Sequence, residues 1–176
     1  MNPKADVKRF NELFAPHMNA SYNLARWLTG SESAAQDVVQ ESYLRAFRFM
    51  HRFTDGNARA WLLAIVRNQS YTWLKQSGVY REVSIGDEIA EDDHILGHMQ
   101  TPELAAIRNQ DAALLHKALA ALALPFREVI ILKELEEMAY KDISAVIEIP
   151  IGTVMSRLAR ARKMLKTELL KLYSHD

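Results

Sequence analysis

Apolar residues recur at steps of three and four from Lys4 to about Thr29, through Phe10, Leu13, Phe14, Met18, Tyr22, Leu24, Ala25 and Leu28. This spacing predicts an amphipathic helix. Thr29, Gly30 and Ser31 mark a break, and a second helix follows from Glu32 to about Met50, with Val39, Tyr43, Ala46, Phe47 and Met50 on one face. Its polar side carries Asp37, Gln40, Glu41 and Arg45. Phe53 to Asn57 contains the turn pair Asp55 and Gly56, and helical spacing resumes from Ala58 to about Leu74 through Trp61, Leu62, Ile65, Val66, Tyr71 and Leu74.

Periodicity then disappears. Gln76 to Gln100 contains Gly78, Gly86, Gly97 and the acidic run Glu91, Asp92, Asp93, with few neighbouring apolar residues, and reads as a flexible linker. Thr101, Pro102 and Glu103 form a helix-start signature, with a capping hydroxyl, Pro at the first helical position and an acid in the first turn. The helix they open runs to about Leu122. Pro125 interrupts it, and Phe126 to about Glu136 forms another. No Val/Ile/Thr alternation suggests a strand. The expected fold is all-α, with two small helical domains, 1–75 and 101–176, joined by a flexible acidic linker, 76–100.

Composition changes this picture little, but charge changes it more. With 49% hydrophobic and 25% charged residues the chain is expected to fold, and no apolar run approaches the roughly 20 residues of a membrane span. The N-terminus lacks the apolar stretch of a signal peptide, and there is no cysteine, so the reading is a soluble, cytoplasmic protein without disulfides or a structural zinc site. The zero net charge conceals a pattern. Residues 1–75 hold ten Lys and Arg against six Asp and Glu, 76–111 two against eight, and 112–176 ten against eight. Between Gly152 and Tyr173 six cations face Glu168 alone. Two basic modules flank an acidic middle, which keeps nucleic acid among the partners despite the neutral total.

The last stretch specifies how. A short helix, Lys141 to Ile147, is followed by Glu148, Ile149 and Pro150 and then by a longer helix from about Ile151, which is the pattern of a helix-turn-helix. Ile151, Val154, Leu158, Ala161 and Leu165 share one face of the second helix and are expected to pack inward. The opposite face is centred on Ser156 and Lys163 and includes Gly152, Ala159 and Arg160, with Met155 and Arg157 on its flanks. Small residues let a backbone approach a groove, and Ser156 and Arg160 are placed to reach base edges. A solvated C-terminal helix shows the same basic face, but the preceding short helix and turn favour DNA. Glu148 stands where such turns often have Gly, and a left-handed backbone there would cost about 1 kcal/mol.

These residues resemble the extracytoplasmic-function sigma factors of bacterial RNA polymerase, in the sigma-70 family. LPFREVIIL (Leu124 to Leu132), Tyr140 to Ile143 and PIGTVMSRLARAR (Pro150 to Arg162) carry the resemblance in the second half. YNLARWLTGS (Tyr22 to Ser31), DVVQESYLRAFR (Asp37 to Arg48) and RAWLLAIVRN (Arg59 to Asn68) carry it in the first. The resemblance implies a stress-responsive initiation factor that binds core RNA polymerase, recognises and melts promoter DNA, and is held by an anti-sigma factor. Asp37, Gln40, Glu41 and Arg45 would then meet the polymerase clamp, although by themselves they read as a solvated face. The minus-ten strand would fall to Asn57, Arg59, Trp61, Arg67 and Asn68, with Tyr71, Trp73 and Lys75 nearby and the loop around Asp55, Gly56 and Asn57 suited to a flipped base. Trp61 also belongs to the apolar series with Ile65, which gives it a core role as the alternative. Met155, Ser156, Arg157, Ala159 and Arg160 would read the minus-thirty-five duplex in the major groove, with Lys163 and Arg162 toward phosphate or solvent.

Two other readings compete with this one. A self-sufficient DNA-binding regulator would need a dimerisation or ligand domain, and no long heptad repeat supplies one. A catalyst would have to use His94 and His98 with Asp92 and Asp93, which sit in the glycine-containing linker with no helix to align them as metal ligands. No phosphate loop, nucleophile elbow or HExxH motif occurs, so neither enzyme chemistry, a metal nor a cofactor is expected.

Overall fold

The computed structural model describes residues 2–80 and 110–174. The described residues are helical throughout, without strands. Helix α1 spans Pro3–Phe14, with Asn2 as its N-cap, its side chain accepting from the Lys4 N–H at 3.2 Å. A 3-10 turn at Ala15–His17 separates α1 from α2, Met18–Thr29, so the single helix expected from Lys4 to Thr29 is two. Pro16 explains the break, because it lacks an N–H and its ring crowds the preceding turn. Gly30 ends α2 with φ of 71°, and Ser31 caps α3, Glu32–Phe49. Asn57 caps α4, Ala58–Gln76, by accepting from the Ala60 N–H at 3.1 Å. Residues 77–80, the start of the expected linker, fold back on α4, and Tyr80 packs on the Tyr71 ring with centroids 5.7 Å apart. The rest of the expected linker, with His94 and His98, and the helix start at Thr101 lie outside the described residues.

The second half comprises α5, Gln110–Ala121; α6, Leu124–Ile130; α7, Tyr140–Ile147; and α8, Ile151–Tyr173. The helix expected from Phe126 to Glu136 is α6 followed by a π-helical turn, Ile131–Leu135, closed by the Glu136 N–H on the Ile131 carbonyl. Such a turn widens the helix and shifts the side chains after it relative to those before it.

The two halves share one core. Phe14, Leu24, Leu28, Leu62 and Leu63 are fully buried in the first, as are Leu119, Leu122, Ile131, Leu132, Ile143 and Leu158 in the second, and all belong to one continuous cluster. Helix α4 packs against α7, and α2 packs against α6. Arg127 ties this contact by donating to the Trp27 carbonyl at 3.1 Å while also holding the Leu119, Ala120 and Leu122 carbonyls. The Trp27 and His116 rings stack with centroids 4.3 Å apart.

Candidate nucleic-acid interface

Helix α7 buries Ile143, Val146 and Ile147, and α8 buries Val154, Leu158, Ala161 and Leu165 against it and the rest of the core. Between them Glu148 adopts φ 56° and ψ 47°, the left-handed geometry that ends α7. Ser144 reinforces the turn, its hydroxyl donating to the Ile149 carbonyl and its carbonyl accepting from the Ile149 N–H. The turn brings the backbone round so that α8 begins at Ile151 with Pro150 as its N-cap.

The expected inward series on α8 holds except at its first member. Ile151 is 46% exposed, because the first turn of α8 projects beyond the core that Val154 reaches. The outward face carries Gly152, Met155, Ser156 and Lys163, all exposed. A Cβ added at Gly152 would meet nothing within 4 Å, so no internal contact requires a small residue there. Ala159 and Arg160 are half-buried, with the Arg160 guanidinium 5.2 Å from the Phe126 ring centroid. Arg157 turns inward, its Nε enclosed and without a hydrogen bond, close enough to lend Glu128 positive charge. Arg162 pairs with Glu134 of the π-helical turn.

On α4 the candidate strand-binding residues are dispersed by their packing. Asn57 is exposed but its amide oxygen is engaged in capping. Trp61 lies among aromatics, with ring centroids 5.2 Å from Phe14 and 5.6 Å from Phe53, so its core role is the one the packing shows. Tyr71 is buried and Trp73 half-buried, which leaves neither as an open stacking platform. Asn68 is exposed and accepts from Arg67 at 3.4 Å. The two cations are held by acids of the other half. Arg59 Nη2 donates to Glu136 Oε2 at 2.7 Å, while Arg67 Nε and Nη2 donate to the two oxygens of Glu128 at 2.9 and 3.2 Å. The Arg67 guanidinium also lies 4.0 Å from the Tyr71 ring centroid.

Burial pushes the Glu128 carboxyl up, against the pull of Arg67 beside it. Burial works against the Arg67 charge as well, yet the Glu128 carboxylate holds its pKa above the ordinary value. Burial and the same carboxylate raise the Tyr71 hydroxyl. Sequence spacing pointed neither to Glu128, inside an otherwise apolar helix, nor to Glu136, in the charged run that follows it, since neither position carries a local sign of a partner.

The polar side of α3 is as expected: Asp37, Gln40, Glu41 and Arg45 are exposed, with Arg45 and Glu41 paired at 3.1 Å. Beside it runs an apolar groove lined by Phe10, Met18, Val39, Tyr43, Leu44 and Phe47. Phe47, expected on the inward face, is 42% exposed, and Leu44 is 57% exposed. Phe47 packs edge-on against Phe10 across the groove instead of entering the core.

Comparison with known proteins places both halves. The family described as Sigma-70 region 2 matches residues 13–79, and the family described as Sigma-70, region 4 matches residues 112–165. The RNA polymerase sigma-H factor of Pseudomonas aeruginosa is 31% identical over 96% of this chain and 90% of its own length. The ECF RNA polymerase sigma-E factor of Haemophilus influenzae is 30% identical over 96% of this chain and 92% of its own. Among solved structures, the sigma factor RpoE in complex with the anti-sigma factor NepR from Bartonella quintana superposes with a TM-score of 0.67 at 28% identity, covering 93% of this chain and 98% of that one. The arrangement is thus that of a two-region transcription initiation factor. The chain belongs to the extracytoplasmic-function sigma factors of the sigma-70 family. These proteins direct RNA polymerase to promoters, a role of binding and positioning and not of catalysis.

Proposed function

We propose that residues 1–75 hold core RNA polymerase and the minus-ten element, that residues 101–176 read the minus-thirty-five element, and that 76–100 tether them. Polymerase contact is assigned to Asp37, Gln40, Glu41 and Arg45 on α3. The minus-ten strand is assigned to Asn57, Arg59, Arg67 and Asn68, with Trp61 supporting the loop from within. Met155, Ser156, Ala159 and Arg160 are assigned to base edges, with Lys163 at phosphate and Arg157, half-buried and turned toward Glu128, at the edge of the surface.

The observation that carries the reading is the helix-turn-helix: a left-handed Glu148 turn followed by a helix whose exposed side is Gly152, Met155, Ser156 and Lys163. No helix among the described residues is long and apolar enough to cross a membrane. The protein works in the cytoplasm, and an anti-sigma factor, like the partner of the Bartonella quintana relative, restrains it.

The deciding experiment is transcription from genomic templates by core polymerase with and without the purified chain. Transcripts with defined starts that require the chain are expected. Their absence on every template would refute the assignment.

A further inference from the structure

In the first two turns of α8 two large apolar side chains stand in solvent, Ile151 at 46% and Met155 at 51% exposed. One such residue is ordinary on a protein surface. Two at a spacing of four residues are neighbours on the helix and form a patch. The same ridge continues through half-buried Ala159 to exposed Lys163, so it runs from apolar to cationic along the helix assigned above to duplex DNA. Gly152 borders the patch, and no acid stands in the first turn of α8. A Cβ at Gly152 would meet nothing within 4 Å, so the fold leaves this end of the helix clear for close approach.

An apolar side chain in the major groove has one good partner. Guanine, cytosine and adenine present donors and acceptors there, and an apolar group set against them displaces water without replacing its hydrogen bonds. Thymine alone adds a C5 methyl group. We propose that Ile151 and Met155 read thymine methyls, which makes them specificity residues for A·T pairs in the minus-thirty-five element. The inference deepens the assignment of α8 to that element and rests on it. In helix-turn-helix proteins the N-terminal residues of the second helix meet the base edges, and the pair lies at that end. A rise of ~1.5 Å per residue separates the two by roughly 6 Å along α8, close to two base-pair steps of about 3.4 Å. The thymines therefore belong to neighbouring base pairs.

The test uses the full chain assembled with core polymerase, on a promoter located by the transcription assay above. Each thymine of its minus-thirty-five region is replaced in turn by 2′-deoxyuridine, which lacks only the methyl group, and binding of the labelled duplex is measured by competition. At two neighbouring base pairs the replacement is expected to weaken binding about fourfold, the factor that burial of one methyl-sized group supplies. In Met155→Ala and in Ile151→Ala that penalty should vanish at one of the two positions and persist at the other. Met155→Leu, which keeps an apolar side chain of similar volume, should retain both penalties. Both residues are exposed, so urea unfolding of these variants should match the parent chain.

A minus-thirty-five region in which no uracil weakens binding would overturn the methyl reading; if Lys163→Ala still lowers affinity, the assignment of α8 to duplex stands. Uracil penalties unchanged in both alanine variants would overturn it too, because the methyls then face another residue. Alanine variants that lose affinity for core polymerase itself, with no uracil penalty to lose, would place the patch against protein and not DNA. Failure to find any promoter in the transcription assay would refute the assignment of α8, and the methyl reading with it.

Discussion

The two faces assigned to DNA are in opposite states. On α8 the outward side is displayed, with Met155 51% exposed and Ser156 and Lys163 at the surface. On α4 Arg59 and Arg67 face the other half and are neutralised by Glu136 and Glu128. The contrast follows from what each helix packs against. Helix α8 has a single buried stripe, Val154, Leu158, Ala161 and Leu165, so its other side is left to solvent. Helix α4 buries Ala60, Leu62, Leu63, Val66, Ser70, Tyr71 and Leu74, which surround much of its circumference because both halves pack on it. A helix buried on several sides has to satisfy its charges internally. The α8 side proposed for promoter contact is open to solvent, whereas the Arg59 and Arg67 side of α4 is covered by the other half.

The contrast breaks most sharply at Arg67. Arg67→Ala leaves the fully buried Glu128 carboxylate without its bidentate partner, and the expected loss is about 3–5 kcal/mol in urea unfolding. Replacing both partners, with Arg67→Met and Glu128→Leu together, is expected to recover most of that loss, because desolvation and attraction are removed at once. A double variant as unstable as Arg67→Ala would show that the pair itself, and not the stranded charge, supplies the stability.

At the displayed face the effects are smaller and are read in DNA binding rather than folding. Arg160→Ala is expected to weaken duplex binding by ~1–3 kcal/mol at one promoter position if its fork reads guanine, with little change in unfolding. An equal loss across all sequences would make Arg160 a phosphate ligand. Lys163→Ala is the complementary case: affinity should fall uniformly, and the slope of log affinity against log salt should flatten by about one unit.

The displayed face was legible in the sequence because it is set by one helix's own period. Val154, Leu158, Ala161 and Leu165 name the buried stripe, and Ser156 and Lys163 follow by subtraction. Ile151 departs because periodicity does not show where the core ends. The covered face was half legible. Arg59 and Arg67 were visible as cations, but their partners lie 77 and 61 residues away, beyond any local pattern. Periodicity put Phe47 with Val39 and Tyr43, yet no inward partner waits for it, and it borders an apolar groove with Phe10. The break at Pro16 was readable from its missing N–H, whereas the π-helical turn at Ile131 has no proline or glycine to announce it.

The turns repeat the difference between the halves and give the smallest of the expected effects. Among the described residues, those with positive φ in the first half are Gly30, Gly56 and Gly78, while in the second they are Glu137 at 52° and Glu148 at 56°. A side chain in the left-handed region costs about 1–2 kcal/mol, since Cβ approaches the following carbonyl oxygen. Glycine removes that cost but adds unfolded-chain entropy of about 0.4–1 kcal/mol. Glu148→Gly is therefore expected to stabilise the chain by roughly 0.5–1 kcal/mol, seen as a modest rise in Tm, with duplex binding retained because the turn's geometry is kept. Gly30→Ala, the mirror experiment in the first half, meets open space around the new Cβ but the same backbone strain at φ of 71°, so it should destabilise by a similar amount. A loss of stability in Glu148→Gly would mean that the Glu148 side chain holds the turn through contacts that outweigh its backbone strain. Glu148 would then be part of what aims α8, and duplex affinity should fall along with Tm.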